Sequence, residues 1–428
     1  MKTLKVALLG CGNVGAQVAR ILLEDAAVLT DRAGARLELA GIAVRNTATK
    51  RDVEIPAELF TTDAQALVDE ADIVIELLGG LEPAGNLIRR ALTRGASVIT
   101  GNKALLAAAG AELNALAFAN DAQLRYEAAV AGAIPILRPI SDSLSGDAIT
   151  KVMGIVNGTT NFILDAMDTT GAQFADVLAE AQGLGYAEAD PTADVEGHDA
   201  AAKAAILASL AFHTNFAYED VYCEGITRIT ADDVAAAKDS GMVIKLLAIA
   251  ERTDEGIGVR VHPTLLPRTH PLAAVHGAFN AVFVEAENAG ELMFYGRGAG
   301  GAPTASAVLG DTVAVARRVV SGGPLPAIAT QQAVKVLDFS QNTTSYAVGL
   351  RVADESGVLA AIAAIFAKNG VSIETLRQSA SADGSEGVAD LRIVTHKSTE
   401  SALAATVATV AEMDAVQEVI SVLRVEGN

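Results

Sequence analysis

The sequence predicts an α/β protein in three parts: a doubly wound parallel sheet at the N-terminus, a second α/β domain, and a C-terminal domain of ferredoxin-like βαββαβ order. Three observations carry this. From residue 4 to about 130, short apolar runs alternate with helical patterns, as in a parallel sheet with helical crossovers. A run of turn formers, Ser321-Gly322-Gly323-Pro324-Leu325-Pro326, interrupts the chain late. After it the pattern reads strand, helix, strand, strand, helix, strand. A chain of 428 residues with 51% hydrophobic residues is long enough to bury several cores.

In the first part the expected strands are Leu4–Leu9, Leu37–Val44, Asp72–Leu78, Ser97–Thr100 and Gln123–Val130. The middle part is less regular. Helices are expected around Thr160–Asp168, Phe174–Gln182 and Gly197–His213, and strands at Val259–His262 and Ala281–Glu285. In the last part the strands are Ser345–Val352, Val371–Arg377, Val388–Thr395 and Val416–Val425. The helices are Val358–Asn369 and Thr399–Met413, and a turn falls at Ala382-Asp383-Gly384. The implied domains are 1–130, 131–320, a linker at 321–342, and 343–428, with a return of 296–320 to the first domain as the alternative.

Composition excludes several classes. Lys plus Arg number 32 against 52 Asp plus Glu, and the formal charge of -20 disfavours general attraction to nucleic acid or anionic lipid. Two cysteines, Cys11 and Cys223, allow neither a disulfide framework nor a zinc cluster and fit a reducing cytoplasm. The first apolar run is too short for a signal peptide, and no later segment reaches membrane-spanning length without interruption.

Gly10-Cys11-Gly12-Asn13-Val14-Gly15 follows the first strand and opens a helical pattern. Glycines there permit a tight turn and close backbone approach, and the helix N-terminus favours a pyrophosphate, so Gly10, Gly12, Asn13, Val14 and Gly15 form a Rossmann dinucleotide fingerprint. The spacing alone also describes a turn with no ligand. The second strand is followed by Arg45, with no acidic residue to accept a ribose 2′-hydroxyl and with Lys50 and Arg51 nearby, which tilts the reading towards NADP over NAD. A solvated loop cation would look the same in sequence.

A second concentration of chemistry lies in Glu188, Asp190, Asp194, Glu196, Asp199 and Lys203, in which Asp199 and Lys203 share a helical face at i, i+4. As a surface pair these two would contribute a few tenths of a kcal/mol, roughly. As a site they supply a carboxylate for an ammonium and an amine for proton transfer.

The motifs Gly101-Asn102-Lys103, Ile155-Val156-Asn157-Gly158-Thr159-Thr160-Asn161, Leu184-Gly185-Tyr186-Ala187-Glu188-Ala189-Asp190-Pro191 and Asp194 through Lys203 closely resemble homoserine dehydrogenases. The resemblance covers essentially the whole chain, and the C-terminal segment is similar to an ACT domain. It implies reversible hydride transfer between homoserine and aspartate 4-semialdehyde with a nicotinamide dinucleotide. It also implies Lys203 as proton donor and base, Lys103 beside the nicotinamide, and both amines partly desolvated. Glu188 and Asp199 would hold the amino and hydroxyl end of the substrate, Gly158, Thr159 and Tyr186 would line its pocket, and Asp194 would lie close to the reacting oxygen. Gly301, in the run Gly296-Arg297-Gly298-Ala299-Gly300-Gly301, would meet the cofactor. Glu127, Val130, Gly132 and Ile134 would bind a structural sodium ion through backbone carbonyls, although the same stretch also reads as a bend joining two domains.

Asp354-Glu355-Ser356-Gly357 and Asn369-Gly370 bracket the first C-terminal helix. The resemblance makes Asp354, Gly357, Asn369 and Gly370 the ligand turn for threonine as feedback effector; the alternative is a module that only dimerises. It further implies a homodimer or homotetramer. Three other readings compete. A phosphorylating aldehyde dehydrogenase would need an activated cysteine, which Cys223 has no evident context to be. An amino-acid sensor derived from a dehydrogenase would lose a catalytic amine, yet Lys103 and Lys203 are present. An attached aspartate kinase is not expected, because the chain opens directly on the Rossmann strand. The six scattered histidines lack metal-ligand spacing.

Overall fold

A computed structural model describes residues 1–323, 334–380 and 387–427. The expected turn at 382–384 and residues 324–333 of the expected linker lie outside the described residues. The N-terminal elements are β1 (Thr3–Leu9), α1 (Asn13–Glu24), α2 (Ala26–Ala33), β2 (Arg36–Ala43), β3 (Phe60–Thr61), α3 (Ala64–Glu70), β4 (Ile73–Glu76), α4 (Ala84–Thr93), β5 (Ser97–Thr100), α5 (Lys103–Ala119) and β6 (Leu124–Arg125). The middle elements are β7 (Ile149–Ile155), α6 (Gly158–Thr170), α7 (Phe174–Gly183), α8 (Thr192–Val195), α9 (His198–Ala211), β8 (Tyr222–Cys223), α10 (Ala231–Asp239), β9 (Met242–Thr253), β10 (Gly256–Pro267), β11 (Phe279–Ala286), β12 (Gly290–Arg297) and α11 (Gly301–Ser321). The chain continues with β13 (Thr343–Ala353), α12 (Val358–Lys368), β14 (Ile373–Ala380), β15 (Val388–Thr395), β16 (Ser398–Thr399), α13 (Glu400–Ala411) and β17 (Val416–Val425).

Two compact units emerge. The first comprises Met1–Gly158, Asp199–Val221 and Ala278–Val334. Its parallel sheet has the order β3-β2-β1-β4-β5-β6, the doubly wound arrangement expected. β4 and β5 are buried along their whole length, as strands covered on both faces must be. The last helix of the unit, α11, returns to this core: Ala305, Val308, Leu309, Val315 and Ala316 pack in one cluster with Leu4, Val6, Val18 and Ile75. β7, β11 and β12 form an antiparallel set beside it in the same unit.

One expected strand is corrected. Gln123–Val130 pairs only at Leu124–Arg125, and a 3-10 turn occupies Glu127–Ala129. The cause is local: the Glu127 N–H donates to the Asp311 carboxylate (2.8 Å), and the Glu127 carboxylate accepts from the N–H groups of Ile136, Leu137 and Arg138 at 2.6, 2.7 and 3.0 Å. Backbone groups tied up this way cannot extend the ladder. The Asp311 carboxyl, buried beside a second carboxylate, is pushed up to about 6, chiefly by desolvation.

The second unit comprises Thr159–His198, Tyr222–Gly277 and the chain from Lys335 onward. In its C-terminal part the strands lie in the order β17-β13-β15-β14, all neighbours antiparallel, which is the ferredoxin-like arrangement expected. α12 and α13 cover the sheet through Ile362, Phe366, Leu403 and Val410. The sheet is extended by the long β9–β10 hairpin, because β17 pairs in parallel with β10 at Thr264↔Arg424 and Leu265↔Val425. The expected strand Val259–His262 is thus the centre of a twelve-residue strand. β10 is buried along nearly its whole length, with Arg260, His262 and Thr264 hidden among its apolar residues. Arg260 is matched by Glu251 (3.0 Å) and Glu426 (2.7 Å), while burial holds His262 neutral, well below the ordinary histidine value.

Candidate functional site

The Gly-rich turn adopts the geometry its spacing implies. Gly10 has φ +97°, and a Cβ there would stand 2.7 Å from the Leu77 carbonyl oxygen. A Cβ on Gly15 would run into the Gly10 carbonyl, while one on Gly12, the N-cap of α1, would meet no atom within 4 Å. Gly301 opens α11 against Asn13, whose side-chain oxygen a Cβ at 301 would strike. The N-terminal ends of α1 and α11 therefore abut, and both present backbone N–H groups of the kind that bind phosphate oxygens. Arg45 is exposed just beyond β2. Arg51 lies closer to the turn than sequence distance suggests: it donates to the Cys11 carbonyl (3.3 Å), and its guanidinium lies 4.2 Å above the Phe60 ring.

The start of α5 is built by Asn102 of the Gly101-Asn102-Lys103 motif together with Glu76 and Thr100, which the sequence did not mark as part of a site. Glu76, fully buried at the end of β4, accepts from the N–H groups of Leu78 (2.7 Å) and Gly79 (3.1 Å) and from the Thr100 hydroxyl (2.6 Å). Thr100 Oγ1 accepts from the Asn102 N–H (3.0 Å). Asn102 donates to the Gly80 carbonyl (2.6 Å) and caps α5 by accepting from Leu105 N–H. Lys103 is thereby fixed as the first residue of the helix. The only sequence signal for Glu76 is an acid closing an otherwise apolar strand.

Lys103 meets Asp199 and Lys203 in the same unit. Asp199 Oδ1 accepts from Lys103 Nζ, and Oδ2 accepts from Lys203 Nζ (2.7 Å) and from Asn157 Nδ2 (2.9 Å). Lys203 Nζ also donates to the Val156 carbonyl (2.7 Å). The i, i+4 pair is not a surface pair, for the Asp199 and Lys203 side chains are 7% and 11% exposed. Lys103, at 44%, is far more open than Lys203, so of the two amines it is the less desolvated. Burial alone would raise the Asp199 carboxyl, but Lys203 and Lys103 outweigh it and hold the group well below the usual carboxylate range.

Gly158 continues from this cluster; a Cβ there would stand 2.8 Å from the Ala278 carbonyl oxygen. In the second unit, the Thr159 hydroxyl donates to the Tyr186 carbonyl (2.6 Å), and Tyr186 lies 48% exposed with its ring 5.0 Å from Phe162. Glu188 is exposed, Asp194 half-buried on α8, and Asp190, two residues before α8, accepts from the Thr192 N–H (3.1 Å) and hydroxyl (2.6 Å). Lys245, buried on β9, donates to Asn161 Oδ1 (3.0 Å) and the Val275 carbonyl (2.7 Å), steadying the first turn of α6; burial brings its amine down to about 8. Cys223 donates to the Glu196 carbonyl and is pushed up to about 11, first by burial and then by Glu196 and Glu224. That is the opposite of an activated nucleophile.

Comparison with known proteins gives the family. Residues 10–127 match the family described as homoserine dehydrogenase, NAD binding domain, residues 135–313 that described as homoserine dehydrogenase, and residues 346–412 the ACT domain. The homoserine dehydrogenase of Corynebacterium glutamicum is 54% identical over 428 residues, covering 98% of this chain and 95% of that protein. The chain belongs to the homoserine dehydrogenase family.

The homoserine dehydrogenase of Mycobacterium tuberculosis is likewise 54% identical, over all of this chain and 98% of its own. The crystal structure of homoserine dehydrogenase from Thiobacillus denitrificans superposes with a TM-score of 0.92 at 40% identity, covering 100% and 99% of the two chains. Family membership makes this an oxidoreductase that interconverts L-homoserine and L-aspartate 4-semialdehyde with a nicotinamide dinucleotide, in the biosynthesis of threonine and methionine. The phosphorylating-dehydrogenase and sensor readings are set aside. Among the described residues no helix is long and apolar enough to cross a membrane, and no His, Cys, Asp and Glu group could hold a metal ion.

Proposed function

We propose that Lys203 moves the proton of this reaction, that Asp199 and Lys103 hold it in place, and that the preferred cofactor is NADP. The observation that carries the reading is the buried Asp199 carboxylate shared by two amines. Two of the three N–H directions of the Lys203 ammonium go to Asp199 and to the Val156 carbonyl, leaving one for a substrate oxygen. When bound, the nicotinamide supplies hydride exchange at the substrate carbon. In oxidation the neutral amine of Lys203 would take the hydroxyl proton on its lone pair and become the ammonium, and in reduction the ammonium returns that proton to the aldehyde oxygen. Glu188, Asp199, Asp194, Tyr186, Gly158 and Thr159 remain the proposed substrate residues, and Lys103 the second proposed catalytic amine, beside the nicotinamide. The domain division 1–130, 131–320 and 343–428 is supported by the ranges of the three family matches.

The cofactor preference rests on Arg45, on Arg51 against the glycine-rich turn, and on the absence of an acid directly after β2. A related hyperthermophilic archaeal homoserine dehydrogenase, 26% identical over 76% of this chain with a TM-score of 0.63, has a structure in complex with NADPH. The test is homoserine oxidation followed by absorbance of the reduced cofactor, with NADP and NAD at equal concentration. Arg45→Ala should raise the KM for NADP about tenfold, the size of one charge-assisted hydrogen bond, and leave that for NAD unchanged. Equal shifts for both cofactors would remove Arg45 from the argument.

A sodium ion fits the bend at 130–134. The carbonyls of Val130, Gly132 and Ile134 accept no backbone hydrogen bond among the described residues, and Gly132 at φ +59° packs so tightly that a Cβ would strike the Gly298 carbonyl. Together with the Glu127 carbonyl these would hold a hard cation structurally. Exchange of sodium for tetramethylammonium should lower Tm without changing the cofactor KM. The C-terminal domain is the proposed effector module. Gly357 (φ +95°) and Gly370 (φ +72°) bracket α12, Asp354 accepts from Gln378 Nε2 (2.9 Å), and Asn369 closes α12 by donating to the Ile365 carbonyl (3.1 Å). Threonine inhibition of the enzyme tests it. A cytoplasmic homodimer or homotetramer completes the reading.

A further inference from the structure

Within the second unit, the last strand of the C-terminal domain is tied to the loop that carries Asp194. Arg424, on β17, has a side chain only 12% exposed. Its guanidinium donates to Glu400 on α13 at 2.8 and 3.2 Å and to Glu224, just after β8, at 2.8 Å. Three rings surround it: Phe339, Tyr222 and Tyr346, with centroids at 5.0, 5.3 and 5.7 Å. Tyr222 and Phe339 stack on each other at 3.4 Å, and the hydroxyls of Tyr222 and Tyr346 donate to Glu224 (3.0 Å) and Glu400 (2.6 Å). Burial opposes the charge on Arg424, yet Glu400 and its neighbours more than compensate and hold it protonated. A planar fork that stacks and pairs at once is specific to arginine.

From Tyr222 and Glu224 the contacts run directly to the acidic loop. Cys223 Sγ donates to the Glu196 carbonyl (3.2 Å), Thr227 Oγ1 donates to Glu196 Oε1 (3.0 Å), and Ile226 N–H donates to the Val195 carbonyl (2.8 Å). There is no slack between the two segments. A Cβ on Gly225 would run into the Val195 carbonyl and Glu196, and one on Gly197 would stand 3.0 Å from Cys223 Sγ. Val195 to Gly197 is the stretch that ends α8, immediately after Asp194.

We propose that Arg424 is a positioning residue for the substrate loop 186–196, and that it links the state of the C-terminal domain to homoserine affinity. By clamping Tyr222 and Glu224 it sets the position of 223–227, and those residues set the position of Val195–Gly197. A shift of β17 or α13 then reaches Asp194 through packed groups rather than through the open ends of side chains. The inference rests on the reading that loop 186–196 binds homoserine.

The test uses the full chain with Arg424→Met, Arg424→Lys, Glu224→Gln and Glu188→Gln. Arg424→Met should raise the KM for homoserine about fivefold to twentyfold, the low half of ordinary coupling effects, with kcat and the cofactor KM within about twofold. Arg424→Lys should recover part of the loss, and the response to saturating threonine should fall by at least half in the Met variant. A folded Met variant with the wild-type KM overturns the proposal. So does a variant in which kcat and both KM values worsen together, since that marks general destabilisation. If Arg424→Met does not fold, Glu224→Gln, which removes one contact, must show the same selective KM rise, and an unchanged KM there overturns it. Glu188→Gln separates the two failures. If it raises the homoserine KM while Arg424→Met does not, only the Arg424 link is wrong; if it has no effect, the loop reading itself fails.

Discussion

Lys203→Ala is expected to lower kcat for homoserine oxidation about 100-fold to 10,000-fold, the range spanned by loss of a general acid–base group. NADP binding, measured by fluorescence titration, should be nearly unchanged. Lys203 lies in the second turn of α9, whereas the dinucleotide elements are the turn at Gly10–Gly15 and the start of α11. Its Nζ is held by Asp199 and by the Val156 carbonyl. The side chain is thus aimed by two partners and carries one unspent N–H direction. Removing it leaves Asp199 still bonded to Lys103 and Asn157, so the cluster keeps a charge partner and the helix should remain folded. Loss in kcat without loss in cofactor affinity therefore separates chemistry from binding. Turnover within tenfold of the wild type would remove Lys203 from the mechanism and turn attention to Lys103.

The fold was most legible where local pattern and burial coincide. β4 and β5 are buried along their whole length and β1 from Val6 onward, and the C-terminal strands alternate against a single helical layer, so their patterns point directly to their place. The middle of the chain showed its strands only in part: Val259–His262 and Ala281–Glu285 were legible, but β7, β9 and β12 were not, and β10 only at its centre. β9 and β10 carry Lys245, Arg260, His262 and Thr264 at buried positions, so neither reads as one long apolar run. Lys245 finds Asn161 and Val275 far away in sequence, and Arg260 pairs with Glu426 as well as with the nearby Glu251. A window of a dozen residues contains no trace of Asn161, Val275 or Glu426. β6 failed in the opposite direction, because Gln123–Val130 looks like a strand until Asp311, 184 residues away, captures the Glu127 N–H.

The site divided along the same line. Asp199 and Lys203 at i, i+4 were readable as a pair, but burial decides whether such a pair is a surface decoration or a buried cluster, and burial depends on Asn157, Val156 and Lys103 from other elements. Asp190 looked like one more acid in an acidic stretch and is spent on Thr192 at the start of α8. Glu76 had no motif at all, yet it organises the loop that delivers Lys103. Arg51, noted only as a nearby cation, folds over the glycine-rich turn because β3 brings Phe60 beneath its guanidinium.

Asp199→Asn should damage the enzyme in both activity and stability, and the two effects have one cause. The carboxylate accepts from three donors on two oxygens: Lys103 on Oδ1, Lys203 and Asn157 on Oδ2. An asparagine offers one acceptor oxygen and turns an NH2 towards amines that can only donate, so at least one lysine is left without a partner. Removing one member of a buried ion pair costs about 3 to 5 kcal/mol, and the 44% exposure of Lys103 places this case at about 3. Tm should fall by roughly 5 °C or more, and kcat by about 100-fold as Lys203 loses its anchor. The pH dependence identifies the cause. The folded-state carboxyl lies below its ordinary value of 3.8, so its stabilisation is complete above that value and is lost as pH falls through the folded one. The Tm gap between wild type and variant should therefore be full at pH 7 and narrow below about pH 4. A gap that stays constant down to pH 3 would assign the destabilisation to packing and would leave Asp199 as a spacer between two helices rather than the charge that organises both lysines.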